Sequence, residues 1–269
     1  GHRKKLESKM IRTFDLSNKV ILITGGYGFL GKAITESLAY HGAIIYVLGR
    51  DGNKFKECFG EYVKDGKIKF CSCDISKATD ISAAFKKVEK VEERIDVLIN
   101  NAFYSKGQSP ENMTDEEWSY GLEGSLTSMF KGIREIIPYL KKNNGGKIIN
   151  VSSMYGMVAP DFEVYRNHPN FLNPPHYGAA KAGVIQLTKY YACYLGRFNI
   201  NVNAVTPGPF PSNEVKKSQD FVESLSEKTF LGRIWLPEDL GGAFVFLASN
   251  ASDYVTGQNI VVDGGWTTK

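Results

Sequence analysis

The chain has 269 residues, 42% of them apolar and 23% charged, with a net charge of +4. This is enough to bury one large core and fits a single α/β domain. The small basic excess is spread along the chain, which argues against a nucleic-acid partner. No apolar run nears the ~18 residues that cross a bilayer, and no secretory leader is read at the start. Four cysteines without a Cys-x-x-Cys pair or a histidine cluster indicate no metal site, and free thiols in a reducing cytoplasm are expected.

Residues 1–18 carry the basic cluster Arg3-Lys4-Lys5 and read as a tail, disordered or left from expression, ahead of a domain over 19–269. The first strand, 20–24, runs into Thr24-Gly25-Gly26-Tyr27-Gly28-Phe29-Leu30-Gly31, and a helix follows over 30–41. Gly26, Gly28 and Gly31 give G-x-G-x-x-G at a strand-to-helix turn. There, glycines let the backbone approach a pyrophosphate, and the helix N-terminus meets its charge. The second strand, 43–48, ends at Gly49-Arg50-Asp51. An acidic residue at position 49 would bond a ribose 2′-hydroxyl. Glycine there, followed by Arg50, leans to a 2′-phosphate and so to NADP over NAD. Asp51 is open to pairing with Arg50 or to binding the ribose itself.

Further strands are expected at 68–73, 97–100, 147–151, 201–205 and 259–262, between helices at 81–92, 116–142, 177–198 and 236–248. Several strands are apolar on both faces, as parallel strands covered by helices are. The expectation is one doubly wound, Rossmann-like α/β domain, a parallel sheet of about seven strands with helices on both faces and right-handed crossovers. No repeat or linker divides the chain. The proline-rich stretches 159–175 and 206–213 read as loops.

Candidate chemistry sits at strand ends and on one helix. Asn100-Asn101-Ala102 closes the fourth strand, where amides can hold backbone or cofactor. The fifth runs into Ser152-Ser153; Ser152 reads as a turn cap, whereas Ser153 is placed to hold a substrate oxygen. Tyr177 and Lys181 are four residues apart and share a helix face. A phenol titrates near ~10, and a neighbouring ammonium favours its phenolate. Tyr177 can then give or take a proton at an alcohol or carbonyl oxygen.

From about Lys19 onward these motifs, in this order, resemble the short-chain dehydrogenase/reductase family. The markers are the glycine turn, Asp74-Ile75, Asn100-Asn101-Ala102, Ser153, Tyr177, Lys181, Pro207-Gly208, Asp253-Tyr254-Val255-Thr256-Gly257-Gln258 and Asp263-Gly264-Gly265. The resemblance implies an NAD(P)-dependent oxidoreductase interconverting an alcohol and a carbonyl, with a small-molecule substrate and no metal, nucleic-acid or membrane partner. It implies Ser153 as substrate-orienting hydroxyl, Tyr177 as proton donor and acceptor, and Lys181 also on the nicotinamide ribose. Asp74 and Ile75 would lie near the adenine, Asn101 and Ala102 beside the cofactor, and Pro207-Gly208 below the nicotinamide. A cytoplasmic homodimer or homotetramer is implied, with 116–142 and 177–198 as interface helices.

Three departures stand out. The spacing T-G-x-x-G-x-x-G is similar to the family's extended branch. Ser125 stands where the family's relay asparagine is expected. Ser153 and Tyr177 are 24 residues apart, roughly double the family's gap. The extra residues, around 161–175, resemble a bacterial branch associated with flagellin modification and surface-sugar biosynthesis, which implies a polar, sugar-like substrate. The insertion is expected as a loop over the active-site mouth, with Asp161, Glu163, Tyr165, Arg166, Asn167, His168 and Asn173 as possible substrate contacts. His168 and His176 read as packed or solvent histidines. The alternatives are a 3-oxoacyl-[acyl-carrier-protein] reductase and a non-catalytic dinucleotide sensor.

Overall fold

The computed structural model describes residues 13–60 and 65–269. Seven parallel strands form one sheet: β1 (Val20–Thr24), β2 (Ile44–Gly49), β3 (Ile68–Ser72), β4 (Val97–Asn100), β5 (Gly146–Val151), β6 (Ile200–Pro207) and β7 (Asn259–Val262), in the order β3-β2-β1-β4-β5-β6-β7. The register pairs Ile21 with Ile45 on one side and with Val97 on the other. The order reverses at β1, so the loops after β1 and β4 part and leave a crevice at the carboxyl ends of the strands.

Alternation along β1 divides the core. Ile21 and Ile23 pack with Ile34 and Leu38 of α1 (Phe29–Tyr40), and with Leu240 and Phe244 of the helix Pro237–Ala248. Val20 and Leu22 face the other side, with Ile81 and Phe85 of the helix Ala78–Glu92 and with Ile133 and Ile136. Each fully buried side chain of this size contributes about 1.5–3 kcal/mol, which makes these two layers the main store of stability.

Elements α2 (Gly52–Phe59), α3 (Ala78–Glu92), α4 (Asp115–Leu122), α5 (Ser128–Lys142), α6 (Pro175–Leu195), α7 (Gln219–Glu227) and α8 (Pro237–Ala248) complete the helices used below. The single helix expected over 116–142 is broken by a π turn, Glu123–Thr127, between α4 and α5. Gly124 accounts for it locally: a Cβ there would lie 1.9 Å from the Tyr104 carbonyl oxygen, so the widened turn lets the helix press against the strand-end loop. The short helices α2 and α7 were not expected. A third apolar cluster, Met154, Tyr155, Val164, Tyr165, Phe221 and Leu225, joins the 161–175 insertion to α7.

The expected tail needs correction at its boundary. Leu16 is fully buried, its N–H donates to the His41 carbonyl (3.0 Å), and Thr13 accepts from the Ala251 N–H (3.2 Å). Residues 13–18 are therefore packed on the domain, because Leu16 gains apolar contacts that an isolated tail lacks. The Arg3-Lys4-Lys5 cluster lies outside the described residues. Among the described residues, no helix is long and apolar enough to cross a membrane.

Candidate active site

The crevice opens into a cavity of 770 Å³ that reaches from the glycine turn, past Arg50 and Asp74, to Ser153, Tyr177 and Lys181. Its floor begins at β1. Gly25 has φ +65°, a conformation natural to glycine. A Cβ on Gly31 would come within 2.1 Å of the Gly25 carbonyl oxygen, so the turn closes only with glycine there. The Lys32 N–H donates to the Gly28 carbonyl (2.8 Å) and begins the helical ladder. The earlier amides of α1 are left at the exposed helix end, where an anion fits. Asn101 fixes this turn from β4: its side-chain amide donates to the Thr24 and Gly25 carbonyls (both 3.1 Å). The Thr24 hydroxyl accepts from the Asn101 and Ala102 N–H groups (both 3.0 Å). Thr24 and Gly26 stand behind the cavity wall; Gly25, Tyr27 to Gly31, Asn101 and Ala102 line it.

At the end of β2, Arg50 is exposed and lines the cavity. Asp51 does not pair with Arg50, and one of its carboxylate oxygens is committed locally. Its carboxylate caps α2, accepting from the N–H groups of Asn53 (2.9 Å) and Lys54 (3.1 Å), a local bond that satisfies two helix-end amides. The Tyr27 ring lies over Gly49, where a Cβ would meet it at 2.4 Å. Its hydroxyl accepts from the N–H groups of Arg50 (3.1 Å) and Asp51 (3.2 Å). Asp74 accepts from the Ser76 N–H (3.0 Å). Burial works to raise its carboxyl, but the Ser76 bonds and the Lys77 and Arg50 charges outweigh it and hold it below the usual range.

The reactive end lies where β5 faces α6. Ser153 is buried, and its oxygen accepts from the Tyr155 N–H (3.2 Å). Desolvation pushes the Tyr177 phenol up, and the nearby Ser153 hydroxyl opposes the rise. Ser152 donates to the Lys181 carbonyl (2.8 Å) and so ties β5 to α6. Lys181 is 1% exposed, with Nζ donating to the Val151 carbonyl (2.9 Å). Burial brings the ammonium down to about 7. Pro207 and Gly208 line the cavity from β6, and the Gly208 N–H donates to the Val262 carbonyl (2.9 Å).

Ser125 does not line this cavity. It lies fully buried in the π turn, and its hydroxyl has no partner. His176 is packed, not reactive: it is fully buried against Gly121, with Nε2 bonded to the Lys106 carbonyl (2.7 Å).

The insertion does form one wall, through Tyr165, Asn170, Phe171, Asn173 and Pro174. Most of the polar contacts expected of it are corrected. Asp161 pairs with Lys228 (2.6 Å), Arg166 with Glu163 (2.6 Å) and His168 with Asp220 (2.9 Å). None of these insertion residues, nor Asn167, lines the cavity. The reason is packing: Tyr165 and Phe171 turn inward onto Phe221, with ring centroids at 5.8 and 4.8 Å. Asp161, Glu163 and Arg166 are thereby left at the rim, while the His168 ring packs on Phe171 and Phe221 (5.7 and 5.2 Å). Sequence reasoning missed Tyr155, Phe210 and Phe221 as wall residues. For Phe221 the signal was its i, i+4 pairing with Leu225 on a short amphipathic stretch.

A family model described as "Enoyl-(Acyl carrier protein) reductase" matches residues 29–267. The 3-oxoacyl-[acyl-carrier-protein] reductase FabG of Thermotoga maritima is 36% identical over 256 residues, covering 93% of this chain and 98% of that protein. The 2-dehydro-3-deoxy-D-gluconate 5-dehydrogenase of Dickeya dadantii is 32% identical, covering 97% and 100%. Among solved structures, a gluconate 5-dehydrogenase from Burkholderia cenocepacia in complex with NADP and tartrate superposes with a TM-score of 0.86 at 27% identity, covering 97% and 99% of the two chains. A short chain dehydrogenase from Leptospira borgpetersenii with bound NAD+ superposes at 0.83 with 32% identity, covering 95% of each. Sequence and fold thus agree over nearly the whole chain, and the protein belongs to the short-chain dehydrogenase/reductase family of NAD(P)-dependent oxidoreductases, which act on alcohol or carbonyl groups.

Proposed function

We propose that this enzyme prefers NADP and acts on a compact substrate bearing several oxygens, a sugar or polyol derivative. One observation carries the substrate reading. Beyond the reactive residues, the cavity is lined by Asn170, Asn173 and Ser105, for whose side chains the structure shows no hydrogen bond to the described residues. Uncommitted polar groups on a largely aromatic wall suit a molecule with a hydroxylated edge and an apolar face. The gluconate-related enzymes among the relatives support the same reading, as does the insertion's likeness to the surface-sugar branch.

The α1 amides and Gly28 would take the pyrophosphate, Arg50 the 2′-phosphate, Asp74 and Ile75 the adenine side, and Pro207 and Gly208 the nicotinamide side. Asn101 and Thr24 act by holding the glycine turn in shape. A bound nicotinamide supplies or accepts the hydride. Ser153 orients the substrate oxygen; Tyr177 gives its proton to that oxygen in reduction and takes it back in oxidation. Lys181 would bond the ribose hydroxyls, and in its protonated form its charge favours the phenolate. The orphan Ser125 hydroxyl would hold a water in place of the family's asparagine, since buried hydroxyls rarely go unpartnered. Convergence of Ser153, Tyr177 and Lys181 in one cavity speaks against a sensor without catalysis. Exposed Trp118, Phe130, Tyr190 and Tyr194 on α4, α5 and α6 support a homo-oligomer through these helices. The unpaired cysteines suit a cytoplasmic setting.

A second reading, 3-oxoacyl reduction, is favoured by the apolar stretch of wall formed by Phe171, Phe210, Val215, Phe221 and Leu225, and by the relative from Thermotoga maritima. NADPH oxidation with sugar and polyol ketones, set against an acetoacetyl thioester, decides between them. Turnover of the thioester alone would overturn the sugar reading.

A further inference from the structure

We propose that Tyr165 and Tyr155 form a second substrate-reading site, which donates a hydrogen bond to a neutral acceptor oxygen of the substrate away from the reacting carbon. This rests on the reading that Ser153 and Tyr177 hold the reacting oxygen. Tyr165 comes from the insertion, at the end of the 3-10 turn Phe162–Tyr165. Tyr155 comes from the turn Met154–Gly156 that follows Ser153 directly. Their hydroxyls stand 2.5 Å apart. Both residues are buried, 7% and 9% exposed, both line the active cavity, and both belong to the apolar cluster against which Tyr177 packs.

Two phenols bring two protons, and their mutual bond uses one. Neither hydroxyl has another protein partner. The second O–H is a buried donor whose remaining outlet is the cavity, and a buried donor left unpaired costs stability. Burial pushes both phenols above their ordinary value, so both protons are kept at neutral pH. The pair is therefore a donor across the working range.

The charge around it selects the acceptor. The cations lining the cavity are Arg50, at the dinucleotide end, and Lys181, buried on the Val151 carbonyl. Among the described residues, the insertion and α7 put no cation on the cavity wall: Lys228 is held by Asp161, Arg166 by Glu163 and His168 by Asp220. A carboxylate or phosphate would be desolvated there without a counter-charge, whereas a hydroxyl or carbonyl would not. That chemistry is shared by a sugar hydroxyl and by the thioester carbonyl of a 3-oxoacyl group.

The test compares wild type, Tyr165→Phe, Tyr155→Phe and the double variant on cyclohexanone, on its 2-, 3- and 4-hydroxy derivatives, and on acetoacetyl-N-acetylcysteamine, with NADPH. Wild type should prefer at least one doubly oxygenated ketone over cyclohexanone by about tenfold or more in kcat/KM. The double variant should lose most of that preference while cyclohexanone stays within about twofold. Each single variant keeps one O–H, freed from the mutual bond, and should lose less than the double. Preference among the hydroxyketones identifies a hydroxyl as the acceptor; preference for the thioester identifies a carbonyl. Equal losses on every ketone, or an unchanged preference, would overturn the proposal. If wild type reduces none of them, the activity reading fails separately. Thermal shift of the enzyme–NADP+ complex with the same ketones then decides: stabilisation by an oxygenated ketone that the double variant abolishes supports the pair, and equal or absent shifts overturn it.

Discussion

Three side chains carry separable predictions because each does one kind of work. Tyr177→Phe keeps the ring and removes the proton, so kcat should fall by roughly 10²–10⁴-fold with NADP affinity within about twofold; steady-state kinetics and a cofactor titration check both. Lys181 holds an ammonium whose folded value, about 7, lies below its unfolded value of ~10.4. Between these the unfolded chain binds more protons than the folded one, so stability rises with pH across that window and is flat below it. Melting curves from pH 6 to pH 9.5 should show wild type gaining on Lys181→Met above about pH 7; parallel curves would mean that Lys181 is charged throughout. Arg50 is exposed, which limits what it contributes. Arg50→Ala should weaken NADP by about tenfold and leave NAD nearly unchanged, read from dissociation constants. Equal losses would make it a surface charge. Most of these residues were legible in the sequence because a strand end or a helical spacing marks them. Tyr155 was not, since nothing in a Met-Tyr-Gly turn announces a cavity wall. Nor was the true partner of Asp51, because an N-cap for α2 requires knowing that α2 exists.

At the scale of elements, the insertion and α7 form a unit. They meet through Tyr165, Phe171 and Phe221 and are pinned at the rim by the Asp161–Lys228 and His168–Asp220 pairs. Exposed ion pairs contribute little, so the aromatic contacts must hold the wall. Replacing 161–173 by a short turn should raise KM for the native substrate by roughly tenfold, the scale of one lost charged or several neutral hydrogen bonds, while NADP affinity holds. Unchanged kinetics in a folded variant would remove the wall from the substrate site. The strands were readable to within a few residues because burial on both faces leaves unbroken apolar runs. The short helices α2 and α7 were not, since two apolar residues four apart, such as Phe55 and Phe59, make a weak periodicity. The outward turn of the insertion's charges was hidden as well, because sequence does not say which alternate residues a loop packs inward.

For the whole molecule, the cofactor groove crosses the sheet at its reversal and touches the ends of β1, β2, β4, β5 and β6. Occupying it should stabilise the fold as a unit. NADP at a hundred times its dissociation constant adds about 2.7 kcal/mol, or roughly 5–10 °C in Tm for a domain this size. NAD at the same concentration should give a smaller rise, and a thermal melt reads both. The general plan was visible from the alternation of apolar runs and helical stretches. The packing of Leu16 was not, because one apolar residue in a polar lead-in carries no period.

The contact between Tyr27 and Gly49 makes these two positions interdependent in descent. A side chain at 49 enters only if the Tyr27 ring moves aside, which also costs the hydrogen bonds that its hydroxyl accepts from the Arg50 and Asp51 amides. Loss of the ring first frees the Arg50 and Asp51 amides that its hydroxyl now occupies. Positions 27 and 49 are therefore expected to change together, each exchange altering the surroundings that the other must fit.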